Sequence, residues 1–289
     1  MTQAFIRERQ YFKAVSPKTI IWYGCSFAAF EGALESKEAV QQRIVELRQR
    51  NVSPITINSY LRCINAYLRW LHVEHGKDLV TIPKLKEEQK ILATFSASAI
   101  KSMVSYRAAT QGQRRLHTLV CLLLDTGLWI SEALSLTKND VDLDNLAIKV
   151  YGKGGKHRLV PFSLETRKLL WRWLQRSPGP DAGLIFATKN NTQISVRNFL
   201  REFKALGTKL GIAGARVSPH TCRHTFACEY LRGGGNLEFL RRILGHSSIL
   251  TTQRYLRSLG VEDLQAVHDR FSPLAPEHLR AARMEVAGR

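Results

Sequence analysis

Apolar residues recur at three- and four-residue spacing along most of this chain, and one short stretch breaks the pattern. From Ser53-Pro54, a serine N-cap and a first-turn proline, Ile57, Tyr60, Leu61, Ile64, Tyr67, Leu68 and Leu71 make one helical stripe. Ser16-Pro17 opens another, with Ile20, Ile21, Tyr23, Phe27 and Phe30, and Lys37 to Arg50 carries Val40, Ile44 and Leu47 on one face. The break is Ala147 to Tyr151, a Gly152-Lys153-Gly154-Gly155-Lys156 turn, and Arg158 to Phe162. Two short β-prone runs across a glycine-rich turn make a hairpin. Such a chain folds as mainly α with a small β-sheet.

The pattern also predicts two domains, which 289 residues are enough to fill. Residues 1–85 read as a small helical bundle of three or four helices. Residues 86–95 read as a linker, within a stretch from Gly76 to Thr94 that holds Pro83 and the polar run Lys84 to Lys90. Residues 96–289 form the second domain, opening at Ser96 or Ser98 with a helix through Val104. Further helices are expected at Gln113 to Leu124, Ile130 to Leu136, Leu164 to Gln175, Val196 to Leu210, Pro219 to Arg232, Leu237 to Leu244 and Ile249 to Leu256.

Charge points to the partner. Lys and Arg number 43 against 24 Asp and Glu, a formal net charge of +19. Such an excess repels itself unless a polyanion is present, so nucleic acid is expected, with the merely soluble basic protein as the plainer reading. Arg62 and Arg69, on the helix that starts at Ser53-Pro54, fit either a DNA-facing or a solvated face. No basic amphipathic helix or lipidation motif speaks for a membrane, and the apolar run Leu119 to Leu124 is too short to cross one. Cys25, Cys63, Cys121, Cys222 and Cys228 are odd in number and lack C-x-x-C pairing, which reads as free thiols. Together with an N-terminus lacking a signal core, this predicts a cytoplasmic protein.

The chemistry-bearing residues cluster late in the chain: His220-Thr221-Cys222-Arg223-His224, then Leu244-Gly245-His246, then Tyr255. A phenol can attack phosphorus, a guanidinium can hold a phosphate, and imidazoles can donate hydrogen bonds or move protons. If Pro219 starts a helix, His220 and Arg223 share a face of its first turn, where the helix end itself favours an anion. The plain readings are a helix-surface or core tyrosine, and an arginine and a histidine satisfied by carboxylates on a helix face. A zinc site built from His220, Cys222, His224 and Cys228 fits no structural zinc spacing, and Cys222 points away from His220 on a helix, so no metal is expected. The glycine-rich turn lacks G-K-S/T and is not a P-loop.

The order H-x-x-R-H, L-G-H, then Tyr resembles the tyrosine recombinase (phage integrase) family. Asp125-Thr126-Gly127-Leu128-Trp129-Ile130-Ser131-Glu132 resembles that family's T-G-L-R-x-x-E box, with Trp129 where its first catalytic arginine stands. The resemblance implies an N-terminal core-binding (SAM-like) domain and an α-rich catalytic domain that together clamp duplex DNA. It implies catalytic roles for Lys153, His220, Arg223, His246 and Tyr255, no cofactor, and a homo-oligomer on DNA, a tetramer in the synapse. Tyr255 would form a 3′-phosphotyrosine, Lys153 would protonate the 5′ leaving oxygen, Lys156 and Arg158 would clamp the DNA backbone, and Glu132 would support the missing arginine. The tail from Val261 to Pro273 would dock on a neighbouring protomer. Trp129 should impair cleavage more than binding, which keeps a catalytically silent DNA-binding protein of this fold, and a type IB topoisomerase-like activity, as alternatives.

Overall fold

The computed structural model describes residues 1–88, 92–152, 157–176, 183–188 and 190–271. It divides into two compact units, Met1–Lys90 and Ile91–Arg289. The first is built from α1 (Thr2–Tyr11), α2 (Pro17–Ala29), α3 (Lys37–Gln49) and α4 (Pro54–His75). The side chains of Ser16, Ser36 and Ser53 accept the N–H groups of Thr19, Ala39 and Thr56, which starts α2, α3 and α4 where the sequence placed them. The sequence did not announce α1: its polar run carries one fully buried residue, Phe5. That ring meets Tyr23, Phe27, Tyr67 and Trp70 edge-on at centroid distances of 5.3 to 5.9 Å. Edge-to-face pairs add about 0.5–1.5 kcal/mol each to the burial itself, so tertiary packing, not propensity, holds α1.

On the exposed side of α4, Arg62 lies over the Trp22 ring and donates to Ser59 Oγ, and Arg69 is exposed. Beyond α4 the chain has no regular element, yet it is no free spacer. Asn65 exchanges hydrogen bonds with the backbone of Ile82, and Asn58 does the same with Leu85, so two side-chain amides imitate the edge of a sheet. Ile82 is buried in the bundle core. Leu85 packs against the core of the first unit, and Phe95, read as the end of the linker, is buried in the core of the second. Residues 89–91 lie outside the described residues.

The second unit runs α5 (Ala97–Val104), α6 (Gln111–Thr126), α7 (Ile130–Ser135), a 3-10 turn at Lys138–Asp140, and β1 (Val141–Asp142), β2 (Ala147–Tyr151) and β3 (His157–Pro161). It continues with α8 (Leu164–Leu174), α9 (Val196–Lys209), α10 (Pro219–Arg232), α11 (Leu237–Leu244) and α12 (Ile249–Gln253). A 3-10 turn at Arg254–Ser258 and α13 (Val261–Phe271) complete the described part. Helix α6 is buried almost all round, from Leu116 to Leu123, because α5, α8, α9 and α10 pack against it. The sheet is antiparallel in the order β1-β2-β3, with β1 a short addition to the expected hairpin. Ile148, Val150 and Val160 face the core while Lys149 and Leu159 face out, the period-two alternation that made the hairpin legible.

Two local features shape the surroundings of Arg223 and Tyr255. Gly127 ends α6 at φ +63°, and a Cβ there would come within 2.5 Å of Phe226 Cδ1, so only glycine lets the chain turn into α7. The helix expected from Ile249 to Leu256 instead breaks after Gln253 into the 3-10 turn that carries Tyr255. Tyr255 is packed there in a small core with Ala227, Cys228, Leu231, Leu240 and Leu244. All five cysteines are free; Cys25 is exposed and the others are buried. Among the described residues no helix is long and apolar enough to cross a membrane.

Candidate active site

Helix α10 starts where Ser218 caps the N–H of Thr221 and Pro219 takes the first position. One turn in, Arg223 is 1% exposed, the largest fully buried side chain among the described residues. Its Nη1 donates to Gly127 O at 2.6 Å and its Nη2 to Leu244 O at 2.7 Å, so the ends of α6 and α11 are both tied to it. These are carbonyls that a helix C-terminus leaves without partners. Burial pulls the Arg223 pKa down, against the neighbouring Tyr255 and Glu132. Arg223 Nε is buried with no hydrogen-bond partner.

Arg223 Nη2 also meets His246 Nε2 at 3.0 Å. A guanidinium only donates, so Nε2 accepts, and Nδ1 then holds its proton toward Thr252 Oγ1 at 2.9 Å. Burial first, then Arg223, Arg254, Arg158 and Arg241, pushes the His246 pKa down to about 4, so the ring is neutral at pH 7. Gly245, at φ +70°, ends α11 and aims this ring. The expected donor role toward a phosphate is thus reversed in the free protein: Nε2 is an acceptor until an anion displaces it.

The Tyr255 ring stacks on His246 at 6.2 Å and 12°, and lies 5.3 Å from His224. At 4% exposure, burial raises its pKa, while Arg223, by charge and hydrogen bond, and Arg254 pull it back. His220 is exposed on the same helix end, and burial of part of its ring, with Arg223 and Arg254 nearby, lowers its pKa. His224 turns away, bonding Leu92 O at 2.8 Å. Cys222 is fully buried in the main core, and among the described residues no group of His, Cys, Asp or Glu is placed to hold a metal.

Trp129 sits in this cluster. Its backbone N–H donates to Glu132 Oε2, which starts α7, and its indole is half-exposed. The Arg223 guanidinium lies over the indole at 4.3 Å from the ring centroid, and the His220 ring stacks beside it at 6.3 Å. An uncharged ring therefore lies against the buried guanidinium. Glu132, expected to support an arginine at position 129, forms a bidentate pair with Arg158, 2.8 Å to each oxygen. Arg158 Nε donates to Ile243 O as well. The reading of Arg158 as a DNA-backbone clamp is corrected by this: its fork is engaged within the protein, with 14% of the side chain exposed, and it pins β3 to α7 and α11. Lys153 and Lys156 lie outside the described residues.

His220, Arg223, His246, Trp129 and Tyr255, gathered from four segments, thus meet around one buried guanidinium. The group has a phenol, a cation with a spare donor, and two neutral imidazoles, which suits in-line attack on a phosphodiester. Sequence reasoning missed Thr252, which holds the Nδ1 side of the His246 ring. The signal for Thr252 was its position a few residues past His246, too common a pattern to single out.

Residues 98–260 match the phage integrase family. Tyrosine recombinase XerC of Xanthomonas campestris pv. campestris is 30% identical over 288 residues, covering 94% of this chain and 88% of that protein. Tyrosine recombinase XerD of Brucella suis biovar 1 is 34% identical over 203 residues, 67% of this chain and 64% of that protein. Among solved structures, the Tn1549 transposon integrase in complex with a circular intermediate DNA superposes with a TM-score of 0.76 at 19% identity, covering 94% of this chain and 99% of that one. That likeness is one of fold.

Proposed function

The chain belongs to the phage integrase family, and we propose that it is a site-specific recombinase that cuts and rejoins duplex DNA through a 3′-phosphotyrosine on Tyr255. The observation that carries this reading is the convergence of Tyr255, His246 and His220 on Arg223, whose buried Nε lacks a partner. The Tyr255 oxygen attacks the scissile phosphorus and the bond to the 5′ oxygen breaks. Arg223, His220 and His246 hold the charge of the pentavalent state, and Lys153 returns a proton to the leaving 5′ oxygen. Attack of a 5′-hydroxyl on the phosphotyrosine reverses the step on a second duplex. The broken bond's energy is kept in the phosphotyrosine, so neither metal nor nucleotide is needed.

The +19 charge and the exposed Arg62 and Arg69 supply backbone contacts, and a tetramer on two sites completes the assembly. Within this reading Trp129 slows cleavage. It brings no charge, and it lies against the face of Arg223 that a phosphate would approach. Losing a transition-state arginine costs about 10³–10⁵ in rate. The same contact favours a second reading, a DNA-binding protein of this fold that does not cleave.

A duplex selected from a randomised library by binding, then nicked at successive positions through the selected sequence, decides between them. On such duplexes Trp129→Arg should form an SDS-resistant protein–DNA adduct that disappears in Trp129→Arg/Tyr255→Phe. An adduct that survives the second substitution means another residue is the nucleophile. Binding without an adduct in either protein favours the non-cleaving reading.

A further inference from the structure

Trp129 leaves the phosphate site with one arginine where the chemistry asks for two, and the site's surroundings hold other cations. Arg158 is engaged by both oxygens of Glu132 and by Ile243 O. Arg241 is engaged by both oxygens of Glu238 and by His246 O. Arg223 itself is buried, tied to two carbonyls and to His246, and roofed by an indole. Arg254 differs from all of these. It heads the 3-10 turn that carries Tyr255, is exposed, and its guanidinium makes no hydrogen bond or ion pair among the described residues. Taking the proposed phosphotyrosine chemistry as given, we propose that Arg254 supplies the second cation of the phosphate site, reaching the phosphate from the nucleophile's side in place of the arginine that Trp129 displaces.

Three physical points support the assignment. The guanidinium of Arg254 is close enough to lower the proton affinity of His220, His224 and His246 together and to pull that of Tyr255 down, so its charge is felt across the whole cluster. A cation without an internal partner loses no ion pair when it turns to a phosphate, whereas recruiting Arg158 or Arg241 strips a carboxylate of its partner. Arginine also has the reach and the planar fork to bind two phosphate oxygens from a flexible exposed stem. The charge is delivered from position 254 instead of 129, next in sequence to the residue that attacks.

The proposal predicts non-additivity. On the nicked selected duplexes, single-turnover adduct formation is measured for the protein as it stands, Arg254→Gln, Trp129→Arg and Trp129→Arg/Arg254→Gln, with gel-shift affinity and thermal melting on each. An exposed, unpaired side chain can be replaced without unfolding the protein. If Arg254 is the second cation, Arg254→Gln lowers the unmodified protein's adduct rate by ~10²-fold or more, the effect of removing one charge-stabilising group. The same substitution then changes the Trp129→Arg protein by less than about tenfold, because the second cation is back in its other position. Equal losses in both backgrounds overturn the idea, since Arg254 would then hold DNA backbone or place Tyr255. No loss in the unmodified protein overturns it too. An adduct in Trp129→Arg but none in the unmodified protein overturns it while leaving the nucleophile assignment standing. Failure of every protein to form an adduct removes the nucleophile assignment first, and this inference with it.

Discussion

The guanidinium of Arg223 lies 4.3 Å from the centre of the Trp129 ring, with a buried Nε that has no partner. A cation over an indole face gains about 0.5–2 kcal/mol, so Trp129 stabilises the same group it covers. The position proposed to slow cleavage thereby helps the fold.

Replacing Trp129 should separate these effects. Trp129→Ala uncovers Arg223 and should lower stability by about 1 kcal/mol in urea unfolding. Trp129→Arg should raise cleavage of a nicked selected duplex by about tenfold or more, the part of a lost arginine's ~10³–10⁵ that a ~10²-fold contribution from Arg254 leaves unrecovered, while DNA affinity changes only modestly because many other phosphate contacts remain. Equal cleavage rates for the original and Trp129→Arg proteins would show that position 129 does not limit the chemistry.

The Glu132–Arg158 pair should matter to stability through what is left behind. Both side chains are mostly buried, and removal of one strands the other's charge. Arg158→Met or Glu132→Leu alone should cost about 3 kcal/mol, and the double variant much less than the sum. A double-mutant cycle by denaturant unfolding reads the coupling directly; additive losses would mean the pair is not a unit.

Gly127 should tolerate no side chain. Its positive φ and the approach of Phe226 and Leu244 leave no room for a Cβ, and its carbonyl holds Arg223 Nη1. Gly127→Ala should lower stability by about 2–3 kcal/mol through strain and overpacking together. It should also lower adduct formation in the Trp129→Arg background, measured beside a melting curve. An adduct rate unchanged at a temperature where the variant is folded would show that the tie to Arg223 is dispensable.

Acid should weaken the cluster over a defined window. His246 titrates at about 4 in the folded protein and at ~6.5 when unfolded. Between those values the unfolded chain holds more protons, so stability rises with pH: the contribution is complete above ~6.5 and lost as pH falls through about 4. His220 and His224, whose pKa values burial also lowers, act in the same direction. Urea midpoints from pH 7 to pH 4 should fall, and His246→Gln should flatten part of that fall. An unchanged slope in His246→Gln would assign the dependence to other groups.

Much of the architecture was legible because its causes are local. Serine caps, first-turn prolines and apolar stripes act over one or two helical turns, so Ser53-Pro54, Ser218-Pro219 and the hairpin around Ile148, Val150 and Val160 could be placed without tertiary information. The residues of the candidate site could be named for a related reason, since His220, Arg223, His246 and Tyr255 all fall within one late stretch of the chain. What long-range packing decided was the state of each group. Helix α1 exists because Phe5 finds Tyr67 and Trp70. Arg158 is removed from the DNA-facing set because Glu132, 26 residues earlier, meets it side to side. His246 is an acceptor because Arg223 and Thr252 bracket its ring, and Trp129 roofs Arg223 because Gly127 turns the chain sharply there. A side chain's identity states which charges and hydrogen bonds it can offer. Which of them remain free depends on neighbours brought close only by the fold, and Arg254 stands out for that reason alone.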